Sequence, residues 1–186
     1  MLNQIGTQTI TTPRLVLRRF TVEDAEAMHR NWAGDPQVTR YLAWRAHPTV
    51  SFTRRQLEEW CAKYADPGFY NWVITLQGEP IGSMVARVRE DIPTTLGYYI
   101  GRAWWGQGLM PEAVTGVLGF LFEQVGLQHV SVAHAVQNPA SGRVALKCGM
   151  TYEGIRPGFI KTGFGEQLDG CVYNITAEDW AKRKKG

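Results

Sequence analysis

The chain has 186 residues, enough for one α/β domain with a sizeable core. An apolar share of 44%, a charged share of 20%, and seven residues each of Trp, Tyr and Phe exclude a disordered chain. The net charge is +3, and removing the four positives of Lys182, Arg183, Lys184 and Lys185 leaves −1, which excludes a basic body of the kind that binds nucleic acid.

Three cysteines, at 61, 148 and 171, show no C-x-x-C spacing, so a disulfide framework is not expected. Cys61 and Cys148 fall on the apolar stripes of predicted helices and read as small core residues. The opening MLNQIGTQTITTPR lacks the apolar core of a secretory signal. No run approaches the roughly 18 apolar residues that span a bilayer. A cytoplasmic protein without membrane contact is the expectation.

Arg14–Arg19 alternates apolar and charged residues and reads as a first strand. Thr21 with Asp24 three residues on has the form of a capping box, and Ala25, Met28 and Trp32 then mark one helical face that Gly34-Asp35-Pro36 ends. Leu57, Trp60, Cys61 and Tyr64 predict a second helix over Thr53–Tyr64. Phe69–Leu76, with Tyr70, Trp72, Ile74 and Leu76 on one face, turns through Gln77-Gly78-Glu79-Pro80 into a return strand over Ile81–Arg89. Thr95–Gly101 is a further strand. Pro111–Val125 is a helix whose Val114, Val117, Leu118, Leu121, Phe122 and Val125 form a strong apolar stripe. Gln128–Val136 is a strand, Asn138–Cys148 a helix, and Met150–Arg156 a strand. Gly154–Gly170 holds five glycines and reads either as a flexible loop or as a hairpin with turns. Cys171–Ile175 is the last strand, and Thr176 caps a short terminal helix. Strands alternating with helices in the order β-α-α-β-β-β-α-β-α-β-β-α predict a layered α/β or α+β domain spanning 1–186.

The chemistry concentrates in Tyr98-Tyr-Ile-Gly-Arg-Ala-Trp-Trp-Gly-Gln-Gly-Leu-Met-Pro-Glu112. A strand enters a glycine-rich turn that opens directly into a helix. Pro111 suits a first helical position, because its missing N–H would be unpaired there. Free N–H groups over Gly106–Met110, absent side chains at Gly106 and Gly108, and the positive end of the helix dipole together form an anion site suited to a diphosphate. The string G-x-x-x-x-G-K-[ST] of a P-loop is absent. The G-x-G-x-x-G of a dinucleotide fold fails at Pro111, and no carboxylate follows on the next strand.

Four segments of this chain resemble the GNAT superfamily of N-acetyltransferases, and within it the RimJ/RimL branch that acetylates protein N-termini and related amines. TPRLVLRRFTVEDAEAM is similar to that family's opening strand and helix, and DPQVTRYLAW to the stretch between its first two helices. GYYIGRAWWGQGLMPEA resembles its coenzyme-A pyrophosphate motif, with Trp105 at the first position and Met110 at the last. NPASGRVALKCGMTYEG resembles its second cofactor motif. An acid that some members carry on the central strand is missing from Thr95-Leu-Gly-Tyr-Tyr-Ile100.

The resemblance implies a mixed, twisted sheet with helices on both faces and two splayed parallel strands, Thr95–Gly101 and Gln128–Val136. It implies acetyl-CoA as co-substrate, with pantetheine on Tyr99, Ile100 and Gly101 and the pyrophosphate on Trp105, Gly106, Gln107, Gly108, Leu109 and Met110. It also implies that Asn138 holds the pantetheine arm and that Ser141 donates to the leaving thiolate. Asn138 before Pro139 is equally suited to capping the helix. Trp44 and Phe159 are expected beside the acceptor, a peptide N-terminal or small-molecule primary amine. The base is left open among Glu90, Asp91, Glu153 and Asp169. A homodimer accords with the family. Two other readings stand beside acetyl transfer: a non-catalytic acyl-CoA sensor, and a transferase of a longer acyl group. His129 and His134 lie five apart on a predicted strand, hence on opposite faces, and no metal is expected.

Overall fold

In a computed structural model, which describes residues 2–88 and 94–184, eight strands form one sheet in the order β1-β2-β3-β4-β5-β6-β8-β7. The strands are β1 (Ile10–Thr11), β2 (Leu15–Arg18), β3 (Tyr70–Leu76), β4 (Glu79–Arg87), β5 (Thr94–Ile100), β6 (His129–Ala135), β7 (Thr151–Lys161) and β8 (Gln167–Thr176). The helices are α1 (Ala25–Met28), α2 (Pro36–Thr39), α3 (Val50–Lys63), α4 (Leu109–Phe120), α5 (Pro139–Lys147) and α6 (Ala177–Arg183). Every neighbouring pair of strands is antiparallel except β5 and β6, which run parallel.

Alternation along β3 assigns the two faces. Tyr70, Trp72 and Ile74 point to one side, where they meet Leu15, Leu17, Ile81, Met84 and the stripe of α4 from Val114 to Phe120. Val73 points to the other, where Phe20, Met28, Trp32 and Leu57 bring in α1 and α3. Each large side chain buried this way contributes about 1.5–3 kcal/mol relative to exposure. Cys148 is fully buried on the α4 side, while Cys61 is half-buried, with its thiol 3.4 Å from the Phe20 carbonyl.

Helix ends follow local chemistry. Asp24 receives the Thr21 N–H at 2.9 Å and pairs with Arg18 through both carboxylate oxygens. Thr49 caps α3 by accepting from Phe52 N–H, so this helix begins and ends earlier than its apolar stripe suggests. The Thr176 hydroxyl accepts from Asp179 N–H at 3.1 Å at the start of α6.

Several elements depart from the sequence reading. Asp35-Pro36 ends one helix and also begins another: the Asp35 carboxylate accepts from Gln37 N–H and Pro36 opens α2. β1, two residues long, escapes any periodicity. α4 starts at Leu109, with Gly108 as its cap, so Pro111 is the third helical residue, still within the turn whose N–H groups lack intrahelical partners. The Gly154–Gly170 segment is a hairpin, with β7 and β8 extending well past their apolar cores and register shifts between Tyr152 and Gly154 and between Arg156 and Ile160.

Candidate active site

β5 and β6 pair at only two positions, Thr94 with Val130 and Thr95 with Ser131, and then separate. Each is held on its far side: β5 by β4 over Arg87–Thr95 to Gly82–Ile100, and β6 by β8 over His129–Thr176 to Ala135–Gly170. The gap is a wedge that opens toward the C-terminal ends of both strands. The Gly101 N–H donates to the Ile81 carbonyl at 2.9 Å, on the β4 side. Backbone groups alternate along a strand, so the amides of Tyr98 and Ile100 face the wedge. The Ile100 carbonyl accepts from the Trp105 indole at 2.9 Å.

Beyond β5 the chain must turn sharply. A Cβ at Gly101 would collide with the Asn31 carbonyl and stand 2.8 Å from the Trp104 ring, so this position requires glycine. Gly106 and Gly108 adopt φ of +76° and +73°, the left-handed region that glycine enters without strain. The N–H groups of residues 106–110 have no acceptor among the described residues. The carbonyl side of the turn is occupied instead. Arg14 donates to the Gln107 carbonyl at 3.0 Å and pairs with Glu112 at 2.6 Å, and the Gln107 side chain donates to the Ala103 carbonyl. Glu112 also accepts from the Thr12 hydroxyl at 2.6 Å. Leu109 and Met110 bury their side chains in the core and present backbone alone.

The wedge and this turn share one cavity of about 380 Å³. Tyr98, Tyr99, Ile100, Trp105, Gly106, Gly108, Leu109, Met110, Asn138 and Ser141 all line it, so the structure brings the two motifs together. Gln107 and Gly101 adjoin the wall without lining it. Asn138 stands at the start of α5, but its side chain makes no capping hydrogen bond. Ser141 lies one turn into α5, and its carbonyl accepts from the Tyr98 hydroxyl at 2.8 Å, a bond that crosses the wedge. Burial pushes the Tyr98 and Tyr99 phenols up, so both remain neutral hydrogen-bonding groups.

Trp44 does not line this cavity. It packs edge-on behind Tyr99, with ring centroids 5.6 Å apart, and forms a second hollow with His47, Phe52 and Trp60. Phe159 is half exposed on β7 beneath the Arg156 guanidinium and stands apart from both hollows. Glu90 and Asp91 lie outside the described residues. Glu153 is an exposed partner of Arg156, and the Asp169 carboxylate accepts from Gly158 N–H at 2.9 Å. Sequence reasoning missed Val38, Tyr41 and Leu42, which also line the cavity, because α2 hides behind an Asp-Pro that reads as a stop. It named the second cofactor motif but did not single out Arg143 and Lys147 within it, which also line the cavity. No cluster of His, Cys, Asp or Glu among the described residues could hold a metal, and none of the described helices is long and apolar enough to cross a membrane.

A parallel strand pair that parts above a turn of free N–H groups defines the class: a transferase domain built around a coenzyme arm. The chain belongs to the GNAT acetyltransferase family, whose domain model, described as "Acetyltransferase (GNAT) domain", matches residues 14–151. It is 28% identical over 170 residues to the N-acetyltransferase YoaA of Bacillus subtilis, covering 89% of this chain and 95% of that one. It is also 28% identical over 85 residues to the ribosomal protein uS5-alanine N-acetyltransferase of Escherichia coli, covering 46% of this chain and 43% of that one. A GNAT acetyltransferase structure from Bacillus anthracis superposes with a TM-score of 0.80 at 25% identity, covering 92% of this chain and 99% of that one. The protein is an acetyl-CoA-dependent N-acetyltransferase.

His47 links the second hollow to the rest of the fold. Its Nδ1 lies 2.9 Å from the Thr53 hydroxyl, and its carbonyl accepts from His29 Nε2 at 3.1 Å. Burial, reinforced by the nearby His29, pulls its imidazole pKa down to about 4. The unfolded imidazole takes up a proton near 6.5, whereas the folded one does so only near 4, so the unfolded state binds more protons between those values. The His47 contribution is therefore complete above about pH 6.5 and is lost as pH falls toward 4. A His47→Gln variant should show a visibly shallower fall in melting temperature across that window, measured by circular dichroism. Equal slopes in the two proteins would remove His47 from the pH response.

Proposed function

We propose that the cavity binds acetyl-CoA with its diphosphate on the N–H groups of 106–110 and its pantetheine arm along the free edge of β5, and that the acceptor is an uncharged α-amine at a peptide N-terminus or on a small molecule. The observation that carries this reading is the continuity of the free N–H turn with the wedge. The residues present fit the group: an anion needs donors without competing side chains, and an extended amide-bearing arm needs an unpaired strand edge.

Acetyl-CoA supplies an activated thioester. The chain's own part is to position and polarise it. The Ile100 N–H faces the wedge and is placed to donate to the thioester oxygen as charge develops there. Asn138, free of a capping role, orients the arm. Ser141 supplies a hydroxyl as proton donor to the departing sulfur. The acceptor amine must be neutral to attack. An α-amine, with a pKa of about 7.7–8.0, meets this condition near neutral pH far more readily than a lysine side chain near 10.4. No carboxylate lines the described cavity, which supports the acceptor of lower demand. The uS5 relative is named for an alanine N-terminus, which supports a peptide acceptor. The Tyr98–Ser141 bond across the wedge limits its depth and supports acetyl over a longer acyl group.

An aspartate at Gly108 would keep a residue type that tolerates left-handed backbone and caps helices well. The new side chain would start 3.6 Å from the Arg14 guanidinium and bring a negative charge to the turn, where like-charge juxtaposition with a bound diphosphate costs several kcal/mol. Gly108→Asp should lose at least about 100-fold in acetyl-CoA affinity by calorimetry, with circular dichroism checking that the strained turn still folds. Thiol release from acetyl-CoA should depend on added amine, with N-terminal peptides outperforming lysine side-chain amines at neutral pH. Ser141→Ala should lower that turnover roughly 10²-fold, within the usual range for proton transfer, while leaving coenzyme affinity near wild type. Binding without release from any amine would support a sensor instead.

A further inference from the structure

A glycine inside a helix weakens it relative to alanine, so Gly142, the residue after Ser141 in α5, calls for a packing reason. A Cβ at Gly142 would stand 2.5 Å from the Tyr173 hydroxyl oxygen and 2.6 Å from His134 Nε2, closer than side-chain packing allows. At this residue α5 therefore rests bare backbone on the tips of two buried side chains from the sheet, His134 of β6 and Tyr173 of β8. Their rings stack with centroids 5.5 Å apart and 23° between planes, so the two tips support each other.

The other end of the imidazole is tied to the turn that starts the helix. His134 Nδ1 donates to the Ala135 carbonyl at 2.8 Å, and the same carbonyl accepts from Asn138 N–H at 2.7 Å, the bond that turns β6 into α5. One ring thus spans from that turn to Gly142. Its Nε2 is buried without a hydrogen-bond partner among the described residues. An unpaired buried nitrogen is a cost to the fold that an apolar side chain would not carry. Its place under the residue next to Ser141 points to geometry rather than stability. Ser141 is then fixed from two directions: the Tyr98 hydroxyl donates to its carbonyl at 2.8 Å, and the next residue sits on His134 and Tyr173. We propose that His134 is a positioning residue for acetyl transfer: with Tyr173 it sets the height of α5 above the sheet at Gly142, and so holds the Ser141 hydroxyl against the departing sulfur. The assignment rests on Ser141 as the proton donor. His134 does not line the cavity and acts only through α5.

Thiol release with a peptide bearing an N-terminal alanine, together with calorimetric titration of acetyl-CoA, tests this in four variants. His134→Leu has similar volume but stops one bond short of the Nε2 position, and the Ala135 carbonyl keeps its bond from Asn138, so the variant should fold, which its melting temperature checks. It should lower kcat about tenfold or more, as small misplacements of reacting groups do, while acetyl-CoA affinity stays within about threefold of wild type. His134→Gln reaches the Nε2 position with an amide and should recover kcat to within about threefold of wild type. Gly142→Ala disturbs the same contact from the helix side and should lower kcat with His134 intact. In a Ser141→Ala background, His134→Leu should cost no more than about a further twofold, because both changes act on one step. A wild-type kcat in His134→Leu overturns the assignment, as does a fall in acetyl-CoA affinity that matches the fall in kcat. So does a glutamine variant no better than leucine, or a full tenfold loss on top of Ser141→Ala. Wild type that releases no thiol from this peptide, or a Ser141→Ala variant with unchanged turnover, overturns the underlying reading and the positioning role with it.

Discussion

The parting of β5 from β6 is the constraint on which the rest of the structure depends. A parallel pair in mid-sheet normally has every backbone group spoken for, and a buried unpaired amide costs about 1–3 kcal/mol. Here pairing stops after Thr95 and Ser131. The strands cannot drift back together, because β4 and β8 hold them from outside over most of their length. Nor can they drift further apart, because the Tyr98 hydroxyl bridges to the Ser141 carbonyl. The wedge is thus a fixed gap whose edge is preorganised for an extended, amide-rich ligand.

The turn after β5 applies the same logic to charge. Its Gln107 carbonyl is drawn outward by Arg14, and Arg14 is held in turn by Glu112, itself tied to Thr12. What remains facing the cavity is a run of N–H groups at the positive end of α4. Because the side chains of Leu109 and Met110 are committed to the core, this surface depends on backbone conformation more than on side-chain identity. Gly106 and Gly108, at positive φ, are the positions where a side chain would strain that backbone.

Much of this was legible in the sequence, and the parts that were not have identifiable causes. The turn was legible because glycine, helix start and apolar stripe occur together within a few residues. The faces of β3 were legible because Tyr70, Trp72 and Ile74 alternate with Val73 on opposite cores. α2 was not, because Asp-Pro carries the same local signal whether a helix is ending or beginning. The β7–β8 hairpin was half legible: its glycines mark bulges at Gly154 and Gly158, and a periodic reading takes bulges for loop. The placements of Trp44 and Phe159 depend on how distant segments meet. Trp44 backs the wedge through Tyr99, and that contact joins elements more than fifty residues apart.

The sheet thereby separates two tasks by face. Tyr98, bonded to α5, belongs to the α4 side. Its neighbour Tyr99 points to the α1–α3 side, against Trp44. Consecutive residues on one strand must point oppositely, so a single step of chain serves both the α5 side of the cavity and the boundary of the opposite layer. A shift of β5 by one residue would exchange the two rings, break the Tyr98–Ser141 bond and turn the Ile100 amide toward β4. The long β4–β5 pairing and the glycine demanded at position 101 hold that register, so the order Tyr-Tyr-Ile-Gly encodes the geometry of the site as well as the stability of the strand.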